Sequence, residues 1–486
     1  MIHSTAYSFI GFQTAYLAVH WNPIYWNTAC LIVNSGSLED NSEEEIVDIY
    51  EDEYQELIEG TTFEDLPDRS GKIKKTSSKD YAKIATAIGD IITRGIKVSL
   101  IDINRSDFGF KPDEKNNEIL FGLNGLSGLN SDIINRIIAG RPYKGIADFM
   151  SRCPLDKRCM ISLIKSGAFD NEDESWAKEI STSPRKGIMA YYISKVSEPK
   201  KKLNLQNFNG LAQKNLIPDN FKYIIDIYRF NKFLKDSCKK GNDFILSDSC
   251  LDFYQIYFDT SKIEIIDGIG YISQKEFDKL YKAKMKVFSQ WLAENQKEML
   301  KAYNNELFKD YWNKYAKGSV SAWEMEALCF YYHEHELKNV NKNRYGIIDF
   351  NRLPREPEVD YYFSRGGKDI PIYKTHRIIG TVIAKNTTKS TVSLLTLGGV
   401  VTLKFNKEQF ALYNRQISEK NEEGIKKVVE KSWFSRGQKI MVTGFRREDM
   451  FVVKTYKKTL SHQIYLIKNV NKDGSIELVH ERYGLN

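Results

Sequence analysis

Residues 119–170 restrict the possible folds of this chain more than any other segment does. A short apolar run leads into a glycine-bearing turn, Leu126-Ser127-Gly128-Leu129-Asn130. Isoleucines at positions 133, 134, 137 and 138 then follow at the spacing of an amphipathic helix. A Gly-Arg-Pro break and a second helical stretch come next. The pattern therefore predicts helices joined through tight turns.

This arrangement is the sequence form of a helix-hairpin-helix unit, which binds nucleic-acid backbone without reading bases. Gly128 has no side chain, so backbone N–H groups of the hairpin can come within bonding distance of a phosphate. Ser131 is expected to cap the next helix, whose N-terminus favours an anion. The predicted DNA contacts are therefore Gly128, Leu129, Asn130 and Ser131. The alternative is an ordinary helical hairpin with a glycine turn.

Composition narrows the class of protein. A chain of 486 residues predicts two to four domains. No apolar run approaches the length of a membrane span, and the six cysteines form no CxxC pair. These features predict a cytoplasmic protein with reduced thiols and without a zinc site.

Charge is strongly segregated along the chain. Residues 1–68 contain 14 acidic residues and no Lys or Arg, whereas the whole chain has a net charge of +7. The remainder is therefore far more basic than the total suggests. Such an excess favours a polyanionic partner, because each neutralised phosphate releases counterions.

The predicted fold class is multidomain α+β, with a mostly helical N-terminal two-thirds followed by a five-stranded OB-like barrel. An apolar, aromatic helix should run to about His20 and a second one from Pro23 to Leu31. The segment 39–68 is an acidic insert, 79–95 a helix and 97–103 a strand. The predicted domains and linkers are an N-terminal region at 1–110, the helix-hairpin-helix region at 111–170, a linker at 171–220, a helical region at 221–338, a second linker at 339–370, the barrel at 371–468 and a tail at 469–486.

The barrel prediction rests on alternating segments at 377–385, 391–397, 400–405, 439–445 and 450–457, with a helix at 407–420 after the third. Five strands with that helix match an OB-fold, which commonly binds single-stranded nucleic acid. Any small five-stranded barrel is the alternative. Cations beside aromatic rings suit stacking of unpaired bases, although half or more of the rings are expected in the core. The cations predicted to bind DNA are Lys385, Lys404, Arg446, Arg447 and Lys454.

Catalytic chemistry is missing from the sequence. Metal-dependent nucleotidyl transfer uses paired carboxylates, but Leu100 stands two residues before Asp102, where the first of a pair would be. His333 and His335 are two apart, so on a helix they cannot face one metal. We therefore predict no catalytic residue and no metal site in this chain. The segment 296–300 (QKEML) is a loose match to peptides that dock in a sliding clamp, with ordinary helix packing as the favoured alternative.

Several blocks occur in an order that resembles the bacterial replicative DNA polymerase III alpha subunit of the DnaE type. They are His3-Ser4-Thr5-Ala6-Tyr7, Gln13-Thr14-Ala15-Tyr16-Leu17, Asp102-Ile103-Asn104-Arg105-Ser106, Phe121-Gly122-Leu123, Gly128-Leu129-Asn130, 163–170 (LIKSGAFD), 323–328 (WEMEAL) and 331–337 (YYHEHEL). The blocks cover residues 1–170 and 321–337, and the barrel region follows them. The pattern departs at Asn130 and Ser127, where the family usually has glycine and lysine.

The resemblance implies that residues 1–110 are the later part of the fingers, with His3, Ser4 and Tyr7 nearest the incoming nucleotide. It places the Gly128 hairpin on duplex DNA and the barrel near the single-stranded template. It also implies that the palm, with its Mg²⁺-binding aspartates, belongs to a partner chain and would precede Met1, as in a split polymerase gene of the kind phages carry. No cofactor is expected in this chain itself.

The leading functional prediction is a C-terminal portion of a DNA-directed DNA polymerase, inactive alone. The expected partners are duplex and single-stranded DNA, a palm-containing chain and, as a further candidate, a sliding clamp; no membrane is expected. Two alternatives stay open: a stand-alone DNA-binding accessory protein that is not sequence-specific, and a nonfunctional remnant of an interrupted polymerase gene.

Overall fold

The computed structural model describes residues 2–35, 81–126, 128–420, 426–454 and 464–480. The chain divides into two compact units. The first consists of Met1–Met189 and Gly318–Asn486, and the second of Ala190–Lys317. The acidic stretch at 39–68 lies outside the described residues. Within the described part, no helix is long and apolar enough to cross a membrane.

The N-terminal helices follow the sequence pattern. Helix α1 (Ile2–His20) ends before Asn22, α2 (Pro23–Ser35) begins at a proline, and α3 is Tyr81–Thr93. Proline is favoured in the first turn of a helix, where its missing N–H costs nothing. The Asn22 side chain accepts a hydrogen bond from the backbone N–H of Ile24 at 3.1 Å. The predicted break at Asn22-Pro23 is therefore confirmed.

A small sheet precedes the hairpin. Strand β1 (Lys97–Val98) pairs in parallel with β3 (Glu118–Leu120), which pairs antiparallel with β2 (Lys111–Asp113). The predicted strand at 97–103 is shorter than expected. It ends early because residues 102–106 turn back on themselves, with the Ser106 N–H bonded to the Asp102 carbonyl at 2.9 Å.

Helices α4 (Ser131–Ala139), α5 (Ile146–Arg152) and α6 (Lys157–Lys165) follow the glycine turn. Residues 171–220, which the lysine-rich composition predicts to be a linker, carry α7 (Glu174–Ile180), α8 (Pro184–Val196) and α9 (Phe208–Gln213). Apolar residues spaced among the lysines, such as Ala177 and Ile188, are fully buried. That burial makes the segment part of the folded structure.

The second unit contains a small sheet that the sequence pattern does not predict. Its strands are β4 (Lys239–Lys240), β5 (Asp243–Leu246), β6 (Glu264–Ile266) and β7 (Ile269–Ser273), in the order β4-β5-β7-β6. Its other helices are α10 (Lys222–Ser237), α11 (Asp248–Tyr257), α12 (Gln274–Glu294) and α13 (Gln296–Tyr315). Aromatic side chains dominate its core, including Phe208, Phe244, Phe277 and Phe288.

After the second unit, the chain returns to the first through α14 (Val320–Leu328) and the short helix α15 (Lys342–Tyr345). The helical region that was predicted to extend to residue 338 is interrupted after Leu328, because Cys329 takes a left-handed φ of 67°. The expected linker at 339–370 includes β8 (Val359–Arg365), which forms a two-stranded hairpin with β9 (Lys368–Tyr373).

The C-terminal part is a closed barrel. Its five strands are β10 (His376–Asn386), β11 (Thr391–Thr396), β12 (Gly399–Lys404), β15 (Lys439–Arg447) and β16 (Met450–Val453). They run in the order β10-β11-β12-β16-β15, and β15 pairs back with β10. Only the β12–β16 pair in this barrel is parallel. Helix α16 (Lys407–Asn414) follows the third strand, so the predicted fold class with an OB-like barrel is confirmed.

Additional strands decorate the barrel. A separate hairpin, β13 (Ile417–Lys420) and β14 (Lys426–Glu430), follows α16. Strand β17 (Ile464–Val470) pairs with β15 and with β18 (Ile476–Val479), so part of the expected tail at 469–486 belongs to the sheet. Ile476 holds it there by packing with Ile467 and Met441. Two predicted stacking aromatics, Phe405 and Phe451, lie in the barrel core.

Candidate nucleic-acid interface

The glycine turn has the backbone conformation that the sequence predicts. Gly128 has a φ of +99°, which L side chains rarely adopt, and it is exposed. Leu129 is buried, so its side chain anchors the turn and only its backbone can face a phosphate. An exposed glycine beside a buried leucine leaves the hairpin backbone open to a ligand.

The helix cap differs from the prediction. Ser131 is the first residue of α4, and the N-cap is Asn130, whose side chain accepts a hydrogen bond from the N–H of Ile133 at 2.9 Å. Asn130 can cap because it is extended, with φ −106° and ψ 169°. The expectation that Ser131 caps α4 was therefore wrong by one residue. Asn130 supplies a capping side chain where the related family usually has glycine.

The N-terminus of helix α6 is hydrogen-bonded to the hairpin. The Cys159 thiol donates to the carbonyl of Gly128 at 3.2 Å, and the Asp156 carboxylate caps α6 through the N–H of Cys159 at 2.8 Å. Burial, together with the adjacent carboxylate, raises the pKa of the Cys159 thiol to about 11. The thiol therefore keeps its proton at neutral pH and remains a donor.

Arg158 provides a cation beside the hairpin that sequence reasoning missed. A Cβ added at Gly128 would lie 3.9 Å from Arg158 Nε. Arginine is well suited to phosphate because of its planar, forked donors. A basic pair, Lys157-Arg158, directly after the helix-capping Asp156 was the available signal.

The 102–106 block has a structural role. The Asp102 carboxylate accepts from the N–H groups of Asn104 and Arg105, at 2.9 and 3.0 Å, and from the Asn171 side chain at 3.0 Å. These bonds use the oxygens that would otherwise bind a metal. Asp102 therefore does not fit a Mg²⁺ ligand.

The same block fixes the loop that joins α4 to α5. Asn104 bonds both the N–H and the carbonyl of Tyr143, each at 2.8 Å. Arg141 Nε donates to the Ile103 carbonyl at 2.7 Å. The loop after the first hairpin helix is thus held by the Asn104 side chain and by the bond of its own Arg141 to the turn.

A buried ionic cluster lies behind the hairpin region. Arg185 is 2% exposed and contacts Asp170 at 2.6 Å and Glu324, which is fully buried, at 2.9 Å. Glu324 also accepts from the N–H groups of Tyr332 and His333, at 3.1 and 3.0 Å. Desolvation raises the pKa of Asp170 despite the nearby arginine. The cluster joins α8, α14 and the end of the segment 163–170.

Residues 320–337, here called the bridge segment, also bond to the barrel. The Tyr331 hydroxyl lies 2.8 Å from the Thr381 hydroxyl, and Lys439 Nζ contacts Glu336 at 3.0 Å. His335 bonds the Leu395 carbonyl through Nε2 at 3.3 Å and accepts from the N–H of Leu337 through Nδ1. Burial lowers the pKa of His335. The bridge segment therefore ties the hairpin region to the barrel within the first unit.

The two histidines of the bridge segment have separate partners. His333 Nδ1 lies 2.6 Å from Glu324, while His335 bonds to backbone of the barrel and of its own segment. Among the residues that the structure describes, no group of three or more His, Cys, Asp and Glu could hold a metal ion.

The predicted barrel cations differ in how firmly they are held. Arg446 donates to the carbonyls of Glu448 and Leu353, at 2.7 and 3.0 Å, and lies over the Phe350 ring. Its guanidinium therefore fastens the 350–353 segment to the barrel. Lys385 donates to the Asn414 side chain at 2.5 Å, and partial burial lowers its pKa. Arg447 is exposed beside the rings of Tyr373 and Phe445.

Lys404 lies in an outward row that crosses the barrel. Strand register places Thr391 beside Lys404, Lys404 beside Val452 and Val452 beside Phe445. The Lys404 ammonium also donates to the Lys389 carbonyl. Lys454 follows β16, and the Gln409 side chain donates to its carbonyl at 3.3 Å. The row puts a cation and an aromatic ring on one surface, as single-strand binding requires.

Two further sets of predicted residues lie in helices α1 and α13. The backbone of His3, Ser4 and Tyr7 lies in α1, but their side chains are outside the described residues. The clamp-like segment is folded into α13: Met299 is buried in the core of the second unit, and Gln296 bonds the Leu203 backbone. A docking peptide must expose its apolar residues, so the burial of Met299 favours the alternative of ordinary helix packing.

Comparison with known proteins agrees with this architecture. The helix-hairpin-helix motif family matches residues 95–178, the region that contains the Gly128 hairpin and its supporting helices. The first unit thus contains a region similar to the helix-hairpin-helix motif family, and it also carries a five-stranded barrel.

The chain is also similar in sequence to known DNA polymerases. The chain is 39% identical over 494 residues to the probable DNA polymerase YorL of Bacillus subtilis (strain 168) and to a DNA-directed DNA polymerase of Bacillus phage SPbeta. It is 27% identical over 216 residues to the DNA polymerase III subunit alpha of Thermus aquaticus, an alignment that covers 40% of this chain and 14% of that protein.

The first two alignments cover 99% of this chain and 35% of each relative, so the chain spans about a third of their length. The chain is homologous to a segment of DNA-directed DNA polymerases of the polymerase III alpha type. The resemblance found in its sequence blocks is therefore confirmed.

Proposed function

We propose that this chain is the portion of a DNA-directed DNA polymerase that holds DNA, while the catalytic palm and its Mg²⁺ come from another polypeptide. In this role α1–α3 form the later fingers, the Gly128 hairpin grips the duplex and the barrel contacts the single-stranded template. The isolated chain then has no polymerase activity.

The observation that carries the proposal is the hairpin. An exposed glycine at φ +99°, a capped helix start and Arg158 converge on one open backbone surface. Backbone N–H groups and a neighbouring guanidinium bind phosphate irrespective of base sequence. A replicative polymerase must hold every sequence equally well, so this chemistry fits the role.

The exposed apolar surface of the first helix favours the existence of a partner chain. Phe9, Ile10, Phe12, Tyr16 and Trp21 of α1 and its C-terminal end are each more than half exposed. Contiguous exposed apolar surface of this kind marks an interaction site. We propose that the palm-containing chain covers it, which would also place His3, Ser4 and Tyr7 near an incoming nucleotide.

A primer-extension assay tests the proposal. The chain alone, with Mg²⁺, dNTPs and a primed template, should incorporate nothing. Co-expression with a palm-containing polymerase III alpha-type chain should yield a complex that extends the primer. Incorporation by the purified chain alone, or failure of every such partner to form a complex, would contradict the proposal.

The barrel and the hairpin favour a second candidate, a stand-alone DNA-binding accessory protein. Both elements are formed entirely by this chain, so neither needs a partner to take shape. Tight, salt-dependent DNA binding by the chain alone, unchanged by a palm-containing partner, would support that candidate over the first.

A further inference from the structure

The β8–β9 hairpin exposes more aromatic surface than its own folding requires. All seven residues of β8 are exposed, and Tyr361, Tyr362 and Phe363 are 56%, 64% and 53% exposed. A two-stranded hairpin gains little by keeping large rings in water, because burial of such rings is what stabilises a fold. These rings therefore need a reason other than the stability of the hairpin.

Strand register separates the hairpin into two unlike faces. On one face Tyr361 pairs with Ile372, Phe363 with Ile370 and Arg365 with Lys368. On the other, Tyr362 pairs with Pro371 and Ser364 with Asp369. The first face, here called the stacking face, combines two rings with two cations and has no acidic residue in its three cross-strand pairs.

The stacking face is unoccupied by the rest of the described chain. Within the described ranges, the rings of Tyr361 and Phe363 have no aromatic partner, and Arg365 and Lys368 form no ion pair. By contrast, the base of the hairpin is attached: Tyr373 packs on Phe445 with ring centroids 5.0 Å apart, and Lys374 pairs with Glu358. The hairpin is thus anchored at one end and presents its rings beyond the anchor.

Charge and spacing identify the occupant. A purely apolar partner would leave Arg365 and Lys368 without counterions, whereas a nucleic-acid strand offers both phosphates and base faces. Residues two apart on a strand are separated by about 6.6 Å. That distance is close to twice the ~3.4 Å rise of stacked bases, so it leaves room for one base between Tyr361 and Phe363.

The hairpin is also continuous with the barrel surface. Tyr373 contacts Phe445, and Phe445 belongs to the outward row that leads through Val452 to Lys404. Arg447 is exposed at the junction, 5.8 Å from the Tyr373 ring. Because Tyr373 is two residues from Pro371, it lies on the face opposite the stacking face, so a strand that crosses the barrel row reaches the hairpin at its edge.

We propose that the stacking face is a platform for unpaired DNA, on which one base inserts between Tyr361 and Phe363 while Arg365 and Lys368 bind the flanking phosphates. The inference rests on the proposed DNA-holding function, and it assigns single-strand binding to a hairpin outside the barrel. Duplex DNA keeps its bases stacked, so it gains nothing from this platform.

The test uses the full chain and fluorescein-labelled dT oligonucleotides, with affinity measured by fluorescence anisotropy. The double variant Y361A/F363A should bind the single strand at least about tenfold more weakly, because stacking contributes roughly 1–3 kcal/mol per base. The matched control is Y362A, which removes an equally exposed ring from the opposite face and should change affinity less than twofold. Duplex affinity should be unchanged in both.

Four other results would overturn the platform or separate it from the proposed duplex grip. Equal losses in Y361A/F363A and Y362A, or no loss in either, would overturn the assignment of the face. If the chain binds duplex but no single strand, the platform is refuted and the duplex grip survives. If single-strand binding depends on the face but duplex binding is absent, the platform stands and the proposed duplex grip fails. A wild-type dimer that Y361A/F363A converts to monomer in sedimentation would instead make the face an interface between copies and refute the proposal.

Discussion

The hairpin region and the barrel surface are suited to DNA in different ways. At the hairpin the decisive groups belong to the backbone: Gly128 at a positive φ, held by the Cys159 thiol and the buried Leu129. On the barrel and the adjoining β8–β9 hairpin, the decisive groups are side chains such as Lys404, Arg447 and Tyr361.

The two regions should therefore tolerate different kinds of substitution. Backbone donors disappear only when the conformation changes, so the hairpin should be sensitive to strain and insensitive to most surface substitutions. Side-chain contacts add up, so the barrel should lose affinity gradually as cations are removed.

The buried ionic cluster supports both regions and should show the largest effect. In Arg185→Met, Glu324 remains fully buried without its cation, so we expect the free energy of unfolding to fall by about 3–5 kcal/mol. Urea titration measures it. The control is Lys309→Met, which removes an exposed pair with Glu306 and should cost less than about 0.5 kcal/mol. Equal effects in the two variants would contradict the role of the cluster.

Strain at the turn should abolish most duplex binding. Gly128→Ala places a Cβ on a residue at φ +99°, and we expect duplex affinity to fall about tenfold or more, with little change for a single strand. Gly241→Ala is the matched control, since that glycine also has a positive φ and open surroundings but lies in the second unit. Loss of single-strand affinity by the same factor would break the distinction between the two regions.

The helix cap gives a smaller effect on stability. Asn130→Ala removes the side chain that accepts from the N–H of Ile133 and should lower the free energy of unfolding by about 1 kcal/mol. Ser131→Ala should change it by only a few tenths, because Ser131 is inside the helix. Thermal or urea unfolding compares the two. The reverse order would restore Ser131 as the cap.

On the barrel, Lys404→Gln should weaken single-strand binding only a few-fold and reduce the slope of log K against log salt by about 0.7, the value for one phosphate on a single strand. Anisotropy titrations from low to moderate salt measure the slope. Lys309→Gln serves as the control for loss of a lysine elsewhere. An unchanged slope in Lys404→Gln would remove this residue from the DNA surface.

The attachment of the barrel should depend weakly on pH. Burial holds the pKa of His335 below its ordinary value of about 6.5, so the folded chain favours the neutral ring. The unfolded chain binds the proton more readily, and stability is lost as the pH falls below about 6.5. Urea titrations between pH 5 and 7.5 should show that His335→Gln reduces this dependence, whereas His376→Gln preserves it. Identical profiles would exclude His335 as the cause.

Local signals were sufficient for much of the architecture. The alternation in five segments and the helix after the third gave the barrel, and Gly128 within its apolar context gave the hairpin. Asn22-Pro23 marked a helix boundary because both residue types have strong backbone preferences. In each case the information lies in a few neighbouring residues.

Long-range contacts account for what the sequence did not reveal. Arg185 lies in a lysine-rich stretch that is typical of a solvated segment, and its burial depends on Asp170 together with Glu324, which is far along the chain. The β8–β9 hairpin contains Pro371, which weakens a strand pattern, although its Gly-Gly turn was an available signal for a hairpin. Asn130 and Ser131 are both good caps by type, so only the backbone geometry decides between them.

The bridge segment has a mechanical consequence. Because Glu324 is fixed to Arg185 while Tyr331 and Glu336 are fixed to the barrel, the two regions proposed to bind DNA are rigidly connected. If both regions bind the same template, the fixed distance between them sets the number of nucleotides that lie between them. Translocation would then advance both regions along the template in equal steps.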